Sequence, residues 1–593
     1  MKIKKILTLL DKKSRKKLIL LLYGMIFMGL LEVLSIASIA PFMGIVVDSS
    51  IIDSNKYLNF VFLYFGFQDH NNFLVASGLV VLLLMVGSNL FFAYMNWSLT
   101  FFSKMQGYKL AQQLFEKYLS QQYSYFINEN SSNLSKNILS ELPRIINGII
   151  LPFMTAASKV IVSIFVLVFL IIVNTSLALS AIIFVGIMYW SIYKFVRGHL
   201  NNIGIKSKKS ISDKFRIINE AFSGIKEVKI GGNETEYAKR FSGPSMNDSI
   251  YSAQSAVISM IPRYAIEVVA FGGLVTVVIF YILVSGIEGA SVIPLIAVFA
   301  LAMYRLLPAL QQIYAGFATI QYNLPALDSL IEEFKLKNKF PLIDNGIDKE
   351  IQFKKFIRLE NISFGYRSIK SNAINNLNLK INHNTTVGIA GSTGSGKTTL
   401  INILLGLFIV DKGKFSVDGV QIDESNVKSW QKKIGYVPQD IYLADDTIEN
   451  NIAFGINKSE INKEKILAAA KLADIDIFIS KLPMKYNTVV GERGVKLSGG
   501  QRQRIGIARA LYHNPTMIVL DEATSALDGI TETEVMKAID NIALKKTIII
   551  VAHRISTLKN CDQIYIINNG EIEDRGSYNA LLKSSKTFQK MAK

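Results

Sequence analysis

The stretch that decides the fold of the C-terminal half is Gly391-Ser-Thr-Gly-Ser-Gly-Lys-Thr398, which matches the pattern G-x-x-x-x-G-K-[ST]. It follows the apolar run Val387–Ala390 and precedes the helical run Thr399–Leu407, so a strand, a loop and a helix occur in the order that a phosphate-binding loop requires. Glycines let backbone N–H groups converge on phosphate oxygens, and the helix N-terminus adds positive potential. We therefore predict a nucleotide-binding loop rather than a structural glycine-rich turn. The predicted contacts are Gly391, Ser392, Thr393, Gly394, Ser395, Gly396, Lys397, Thr398 and Thr399.

Side chains of two motifs in the C-terminal half have specific predicted roles. Lys397 should reach the β- and γ-phosphates of ATP, and the Thr398 hydroxyl should ligate Mg²⁺. A second motif, Met517-Ile-Val-Leu-Asp-Glu522, is a buried-strand pattern that ends in two acids. Asp521 is expected to contact the other ligands of Mg²⁺ rather than the ion itself. Glu522 is expected to be the carboxylate that polarises the attacking water. ATP and Mg²⁺ are thus the expected cofactors; the alternative for the second motif is an ordinary strand that ends in acids.

The N-terminal half has a different composition. The chain has 593 residues, of which 50% are hydrophobic, and its mean hydropathy is +0.31. Long charge-poor runs fill roughly the first 320 positions, a profile typical of a membrane protein that carries one soluble domain. Six of these runs are long enough to cross a bilayer, for which a helix needs about 20 apolar residues. They are Leu18–Val47, Phe73–Trp97, Asn147–Val173, Ser176–Val196, Ala253–Val284 and Val292–Tyr314.

The pattern changes near Ile351, where short β-branched runs begin to alternate with helical stretches. Such alternation predicts an α/β domain with a mainly parallel sheet. We therefore expect an all-α, six-helix transmembrane domain over residues 1–334, a linker over 335–350 and an α/β nucleotide-binding domain over 351–593.

The charge distribution predicts the topology in the membrane. The formal net charge is +19, and much of the excess lies beside the apolar runs, where positive charge marks the cytoplasmic side. Nucleic acid is therefore not an expected partner. The basic N-terminus and the alternating loop charges predict that both termini are cytoplasmic and that helices two to five extend into the cytoplasm. The single cysteine, Cys561, excludes an internal disulfide and a Cys-based zinc site. The first apolar run is too long and continuous for a cleavable signal peptide.

One loop between predicted spans is unusually aromatic. The segment Ile51–Phe67 mixes six aromatic residues with a few polar residues. Aromatic rings favour the headgroup zone of a bilayer, so the segment is either a helix in the outer interface or a packed external loop. The sequence leaves both interpretations open.

The C-terminal domain resembles the nucleotide-binding domain of ABC transporters, through Leu497-Ser-Gly-Gly-Gln-Arg-Gln503, which matches the signature sequence of that family. The stretch Gly491-Glu-Arg-Gly494 just before it is similar to one typical of exporters. Further motifs match in the family's order: Tyr366 in Phe364-Gly-Tyr, Gln439 in Tyr436-Val-Pro-Gln, Ser525-Ala-Leu-Asp528 and His553 in Val551-Ala-His-Arg554.

This resemblance implies a role for each motif. His553 is expected to contact the γ-phosphate and to hold Glu522 and the water in line, and Gln439 to sense Mg²⁺ and the γ-phosphate. Tyr366 is expected to stack on adenine, against the alternative of an ordinary exposed aromatic near a turn. The signature donors would bind the nucleotide of the opposite subunit, so two chains complete two sites; a homodimer is the simplest assembly and a heterodimer stays open. These donors are Ser498, Gly499, Gly500 and Gln501.

Six spans ahead of one such domain resemble the half-exporter architecture, in which ATP hydrolysis drives transport. Two cytoplasmic turns, near Ser124-Tyr-Phe126 and Ala221–Val228, would then contact the ATP-binding domains; the alternative is that they are plain connections.

The transported substrate depends on charges within the spans, which are costly there and mark functional sites. Arg263 and Glu267 are four residues apart and either neutralise each other or serve the substrate, whereas Arg305 has no acid nearby in the sequence. Glu32 is the fourth charged residue within the predicted spans. A basic group such as Arg305 could hold a pyrophosphate.

The stretches Ile261–Glu267 and Leu301–Pro308, with the aromatic external segment, resemble PglK-type lipid-linked oligosaccharide flippases. This resemblance implies a bacterial inner-membrane protein that translocates a polyprenyl-pyrophosphate-linked oligosaccharide or related glycolipid, which Arg263 and Arg305 would bind. Helix two carries no basic residue, which departs from that pattern. The alternative is an ABC exporter of another lipid, a peptide or a hydrophobic compound. A binding protein without turnover is disfavoured by Glu522.

Overall fold

The chain divides into two compact units in the computed structural model. It describes residues 11–173, 175–285, 293–336, 351–366, 372–523, 532, 535–537, 539, 546–552 and 554–592. The first unit comprises Met1–Leu119 and Glu129–Asn338, and the second comprises Ser120–Asn128 and Lys339–Lys593. A short segment of the N-terminal half thus belongs to the second unit. The domain boundaries expected at 334 and 351 stay a prediction, because 337–350 lies outside the described residues.

The first unit is helical throughout its described part. Its helices are α1 (Lys12–Ala37), α2 (Ile39–Val47), α3 (Ile51–Ser54), α4 (Lys56–Tyr64), α5 (His70–Leu119), α7 (Ser131–Lys136), α8 (Leu142–Ile145), α9 (Leu151–Val173), α10 (Thr175–Ser223), α11 (Ile225–Ile230), α12 (Glu234–Ser285) and α13 (Ile293–Lys335). Two π-helical turns, Asn137–Glu141 and Ile146–Ile150, flank α8. The short helix α6 (Tyr123–Asn128) lies in the second unit.

Each of the six predicted spans lies in helix wherever it is described, except for the turn residue Ser38 between α1 and α2. Within the described residues, three helical stretches are long and apolar enough to cross a membrane by length and composition, namely Lys12–Val47, His70–Leu119 and Ser131–Val173. The helices that cover the other three predicted spans, α10, α12 and α13, are 49, 52 and 43 residues long. A bilayer crossing needs about 20 residues, so helices of this length extend well beyond it.

The aromatic segment after the first predicted span is helical. Asn55 starts α4 by accepting hydrogen bonds from the backbone N–H groups of Tyr57 and Leu58. Phe62 packs inward, with its ring 5.4 Å from that of the buried Phe73. The other face is exposed and apolar, and it consists of Tyr57, Phe60, Leu63, Tyr64 and Phe65. A helix with one packed and one exposed aromatic face favours the interfacial-helix interpretation over a packed loop.

The second unit contains two sheets. A six-stranded sheet has the order β10-β9-β3-β8-β7-β6, in which every neighbouring pair is parallel except β10 and β9. A four-stranded antiparallel sheet has the order β2-β1-β4-β5. The strands are β1 (Phe356–Gly365), β2 (Asn372–Asn382), β3 (Thr386–Ala390), β4 (Lys412–Val417), β5 (Val420–Gln421), β6 (Ile434–Val437), β7 (Met517–Asp521), β8 (Thr547–Val551), β9 (Gln563–Asn568) and β10 (Glu571–Gly576).

The central strands of the larger sheet are parallel and fully buried. All residues of β7 and β8 are buried, because one apolar cluster with residues of the helix Gly499–Leu511 and another with residues of the helix Lys397–Leu404 and the smaller sheet contain alternate side chains of both strands. Strands buried on both faces require continuous apolar runs. The expected mainly parallel sheet is thus confirmed, whereas the antiparallel sheet was not predicted. Further helices of this unit are α14 (Lys397–Leu404), α15 (Val427–Gln431), α16 (Ile448–Ile452), α17 (Lys463–Leu472), α18 (Asp476–Ser480), α19 (Gly499–Leu511), α20 (Tyr578–Ser584) and α21 (Lys586–Ala592).

Candidate nucleotide site and charged groups of the long helices

The loop between β3 and α14 follows the path predicted for a phosphate-binding loop. Gly396 has a φ of +107°, and a Cβ added there would lie 2.8 Å from the carbonyl oxygen of Ala373. A Cβ at Gly391 would clash with the carbonyl oxygen of Ile567. Both positions therefore need glycine, the first for its backbone conformation and the second for close packing.

The lysine of this loop is buried and held by the loop itself. The Lys397 Nζ donates hydrogen bonds of 2.8 Å to the carbonyl oxygens of Gly391 and Ser392. Burial lowers the pKa of Lys397, while Glu522 and Asp521 oppose that shift. The Ser395 hydroxyl is also buried and has no hydrogen-bond partner among the described residues. An unsatisfied buried hydroxyl is costly, and an acceptor inside the loop would satisfy it.

The acidic strand end brings two predicted residues together. Asp521 is the last residue of β7, and Glu522 follows it with a φ of +50°, which is strained for a residue with a Cβ. The Glu522 carboxylate accepts a 2.7 Å hydrogen bond from Gln439 Nε2. The two residues are 83 positions apart in the chain. The pairing of β6 with β7 places the segment after β6 beside the end of β7.

Tyr436 belongs to this site but was not predicted as a site residue. Its hydroxyl donates a 3.3 Å hydrogen bond to Asp521 Oδ2. Burial and then the nearby Asp521 charge raise the pKa of Tyr436, so the hydroxyl keeps its proton and donates. The signal that could have found it is its position, three residues before Gln439 and near the end of the strand that pairs with β7.

The predicted adenine-stacking residue lies next to the phosphate-binding helix. The Tyr366 hydroxyl is 3.0 Å from Thr399 Oγ1, and its ring meets that of Phe408 edge-on at 5.7 Å. Tyr366 is half-buried, so one part of its ring stays accessible. The structure thus brings Tyr366, Thr399 and the phosphate-binding loop together.

The signature loop forms the N-terminus of α19. Ser498 and Gln501 make reciprocal hydrogen bonds, in which the Ser498 N–H donates to Gln501 Oε1 at 2.9 Å and the Gln501 N–H donates to Ser498 Oγ at 3.3 Å. This capping box fixes the loop and leaves Ser498 exposed. Gly499 and Gly500 are the first two residues of the helix, where backbone N–H groups have no partner within the helix. His553 and Ser525–Asp528 lie outside the described residues.

The charged residues predicted within the spans, Arg263, Glu267, Arg305 and Glu32, are paired. Arg263 Nε lies 2.8 Å from Glu267 Oε1, in an exposed ion pair within α12. This is the pairing that the sequence left as an alternative to a substrate role. Arg305 has no acid near it in the sequence, but its Nε lies 3.3 Å from Oε1 of Glu32 in α1. Arg305 Nη1 also donates a 3.3 Å hydrogen bond to Asn89 Oδ1.

Lys159 completes this group, which we call the Arg305 cluster (Glu32, Asn89, Lys159 and Arg305). Lys159 lies in α9 and interacts electrostatically with both Glu32 and Arg305. The Glu32 side chain is 3% exposed, and its Oε2 has no hydrogen-bond partner among the described residues. Sequence reasoning missed Lys159, although a lysine in the middle of a predicted span was a usable signal.

Comparison with known proteins agrees with this architecture. The family model for the ABC transporter transmembrane region matches residues 18–307, and the model for the ABC transporter matches residues 374–525. An ATP-dependent lipid A-core flippase of Nitrosococcus oceani is 30% identical over 477 residues, which are 80% of this chain and 78% of the relative. The protein belongs to the ABC transporter family. It has the half-exporter architecture, in which a multi-pass transmembrane domain precedes the ATPase domain.

Further relatives carry the same name. The lipid A-core flippase of Shewanella oneidensis is 28% identical over 587 residues, which are 98% of this chain and 96% of the relative. That of Haemophilus influenzae is 38% identical over 291 residues, about half of each chain (49% and 48%). The solved structure of an ATP-bound bacterial Atm1-family ABC exporter matches with a TM-score of 0.79, 23% identity and 98% coverage of both chains. At this identity the structural match establishes the shared fold alone.

Proposed function

We propose that the protein is a homodimeric flippase of the bacterial plasma membrane that uses Mg²⁺-dependent ATP hydrolysis to translocate a lipid with an anionic headgroup. The observation that carries this proposal is the Arg305 cluster, in which two cations share one buried acid. A surplus positive charge among membrane helices is costly, and an anionic group that enters the cluster would offset it. Arg305 donors suit a phosphate because a guanidinium binds such groups through two parallel hydrogen bonds.

Two sources for this anionic group are compatible with the cluster. The relatives are named for a lipid A-core, and the resemblance to PglK-type flippases implies a polyprenyl-pyrophosphate-linked oligosaccharide.

The second candidate function is export of another lipid, a peptide or a hydrophobic compound. The ion pair between Arg263 and Glu267 favours this candidate, because it leaves one of the two predicted substrate arginines neutralised.

The nucleotide site supports a role for each of its residues. Lys397 would exchange the loop carbonyls for β- and γ-phosphate oxygens, and Ser395 would find its missing partner there. Glu522 would polarise the attacking water, with Gln439 holding the carboxylate in place. The oxygens of Thr398, Gln439 and Asp521 are the donor type that Mg²⁺ prefers. His553 would contact the γ-phosphate.

The homodimer rests on two exposed surfaces of the single chain. Ser498, Gly499 and Gly500 form an ordered helix N-terminus that can accept a phosphate from a second copy. On the predicted second coupling element Phe222 is 71% exposed, and Ile230, two residues beyond the end of that element, is 89% exposed. Apolar side chains this exposed in a polar stretch are expected to pack against a partner.

The test is transport by the full chain in liposomes that contain a fluorescent lipid. We expect ATP-dependent movement of lipids with phosphate or pyrophosphate headgroups and none of a neutral lipid of the same tail length. Arg305→Ala should reduce this movement and the lipid-stimulated ATPase rate about tenfold or more, because it removes a charge-assisted contact. Arg305→Lys should retain part of both activities.

The matched control is Arg216→Ala, which removes an exposed arginine paired with Asp213 within α10. This variant should transport like the wild type. Equal transport of neutral and anionic lipids, or an Arg305→Ala variant with wild-type transport, would favour the second candidate function.

A further inference from the structure

Two π-helical turns interrupt the helix that runs from α7 through α8 to α9. The Leu142 N–H donates to the Asn137 carbonyl, and the Leu151 N–H donates to the Ile146 carbonyl, so both hydrogen bonds span five residues. A π turn holds one residue more than an α turn, and such turns occur frequently at functional sites. Relaxation of one turn to α-helix would lengthen the helix by about 1.5 Å and rotate its two ends by about 100° against each other.

The first π turn brings a buried lysine to the side of a buried glutamate. Lys136 and Glu141 are five residues apart, which is about 1.4 turns of an α-helix, so an α-helix would point them to different sides. Burial lowers the pKa of Lys136, and the Glu141 charge opposes that shift. Glu141 is 1% exposed, and neither of its carboxylate oxygens has a hydrogen-bond partner among the described residues. The attraction between the two charges therefore favours the π turn.

The second π turn packs against α13 through a glycine. A Cβ at Gly148 would lie 2.3 Å from Asn323 Nδ2, so a larger residue would displace Asn323. The Asn323 Oδ1 accepts a 2.7 Å hydrogen bond from Arg144 Nε, and the Arg144 guanidinium lies 5.1 Å from the centre of the Tyr322 ring. Both Nη atoms of Arg144 are buried and lack a hydrogen-bond partner in the part of the chain that the structure describes.

The unpaired groups make this conformation costly, because a buried charged group without its hydrogen bonds destabilises the state that contains it. An acid and a base three residues apart are neighbours on an α-helix, and this is the spacing of Glu141 and Arg144. Here Lys136 attracts one of them and Asn323 binds the other. If the π turns relaxed, both of these partners would rotate away, and Glu141 and Arg144 would pair with each other.

We infer that residues 136–150 form a two-state helical joint, which we call the π joint, whose π turns relax to α-helix when the transporter holds ATP. The signal would arrive through α13, which ends at Lys335 and is followed in the chain by the ATPase domain. A displaced α13 withdraws Asn323 from Gly148 and thereby releases Arg144. The inference goes beyond the proposed function, since it requires ATP turnover but no particular lipid.

Two cysteine pairs between the same helices test the π joint in the full chain in nanodiscs. Cys561→Ser first removes the native thiol. The joint pair is Gly148→Cys with Asn323→Cys, where a Cβ at 148 lies 3.1 Å from the Cβ of 323. The control pair is Ala156→Cys with Gly316→Cys, which joins α9 and α13 outside the π joint at a matching Cβ distance of 3.0 Å. Both pairs need the same small adjustment to reach the Cβ separation of a disulfide, about 3.5–4.5 Å.

The measurement is the rate of disulfide formation under a mild oxidant, without nucleotide and after trapping with ATP and vanadate. We expect the joint pair to cross-link at least about fivefold more slowly after trapping, because relaxation turns residue 148 away from residue 323. The control pair should cross-link at the same rate in both conditions. Equal rates in the joint pair, an equal slowing in the control pair, or no cross-link of the joint pair without nucleotide would each overturn the inference.

A further variant tests the charges as the cause. Glu141→Met combined with Arg144→Met, added to the joint pair, removes the unpaired charged groups, and replacing both partners by apolar groups of similar length can be nearly neutral for stability. The two cross-linking rates should then differ by less than about twofold, because the drive to relax is gone. A fivefold slowing that persists in this variant would contradict the role of the charges. Lipid transport does not enter the readout, so its failure would count against the proposed function alone.

Discussion

The nucleotide site and the Arg305 cluster differ in how their residues are distributed along the chain. The nucleotide site is built from contiguous motifs at the ends of neighbouring strands, so Gly396 and Lys397 occupy adjacent positions. The Arg305 cluster joins single residues of four helices, and Glu32 is separated from Arg305 by most of the first unit. A site made of motifs can be recognised from sequence, whereas a site made of single residues is defined by helix packing.

The largest expected effect concerns the catalytic end of the nucleotide site. Glu522→Gln keeps the hydrogen-bonding shape of the side chain but removes its charge. We expect the steady-state ATPase rate to fall about 100- to 1,000-fold, the range for loss of a general base, with ATP binding retained. Glu571→Gln is the control, because Glu571 is an exposed acid at the start of β10. If Glu522→Gln turns over ATP at the wild-type rate, another group activates the water.

The Arg305 cluster should respond most in stability. Glu32→Gln leaves Arg305 and Lys159 without their shared acid, and breaking a buried ion pair costs about 3 kcal/mol or more. The melting temperature should therefore fall in neutral detergent, and addition of an anionic phospholipid should restore part of it. Glu234→Gln is the matched control, since its ion pair with Lys229 is exposed outside the predicted spans, and pairs exposed to water contribute about 1 kcal/mol or less. Equal melting temperatures of the two variants would mean that the Arg305 cluster is not buried in solution.

The glycine requirement of the phosphate-binding loop gives a smaller effect. Gly396→Ala adds a Cβ that meets the Ala373 carbonyl oxygen and strains a positive φ. We expect at least about a tenfold weaker ATP affinity by titration calorimetry, since each strained residue costs about 1–3 kcal/mol. Gly419→Ala has a similar φ of +86° but no atom within 4 Å of the added Cβ. A Gly419→Ala variant that loses ATP affinity equally would show that backbone strain, not the clash, is responsible.

The smallest effect is a pH-dependent change in stability at Lys397. Burial lowers the pKa of Lys397, so the unfolded chain holds this proton more tightly than the folded chain. The free energy of unfolding should therefore rise with pH between the lowered pKa of Lys397 and the usual lysine value. Below that window Lys397 is charged in both the folded and the unfolded chain, so the whole free-energy cost of burying its charge is present. Lys397→Met should raise the melting temperature of the ATP-free protein slightly near neutral pH and flatten this rise. The exposed Lys414→Met is the control, and indistinguishable pH profiles would contradict the prediction.

The sequence predicted the strands β3 and β7 because their apolar runs are continuous, as strands buried on both faces require. It could not predict that Tyr436 bonds to Asp521, because that contact depends on the pairing of β6 with β7. The ion pair of Arg305 with Glu32 could not be predicted either, because it depends on the packing of α13 against α1. Nor could periodicity reveal that Ser120–Asn128 packs with the ATPase unit, because this depends on ring contacts such as that of Tyr123 with Phe408.

In the proposed homodimer, two copies of this chain would share each ATP, one through the phosphate-binding loop and the other through the signature loop. The direct test mixes two inactive variants, Lys397→Ala and Ser498→Arg, co-expressed with different tags and purified through both. A mixed dimer would hold one intact site, composed of the loop of one copy and the signature of the other. We predict ATPase activity well above the sum of the two separate variants, whereas activity no greater than that sum would contradict the account.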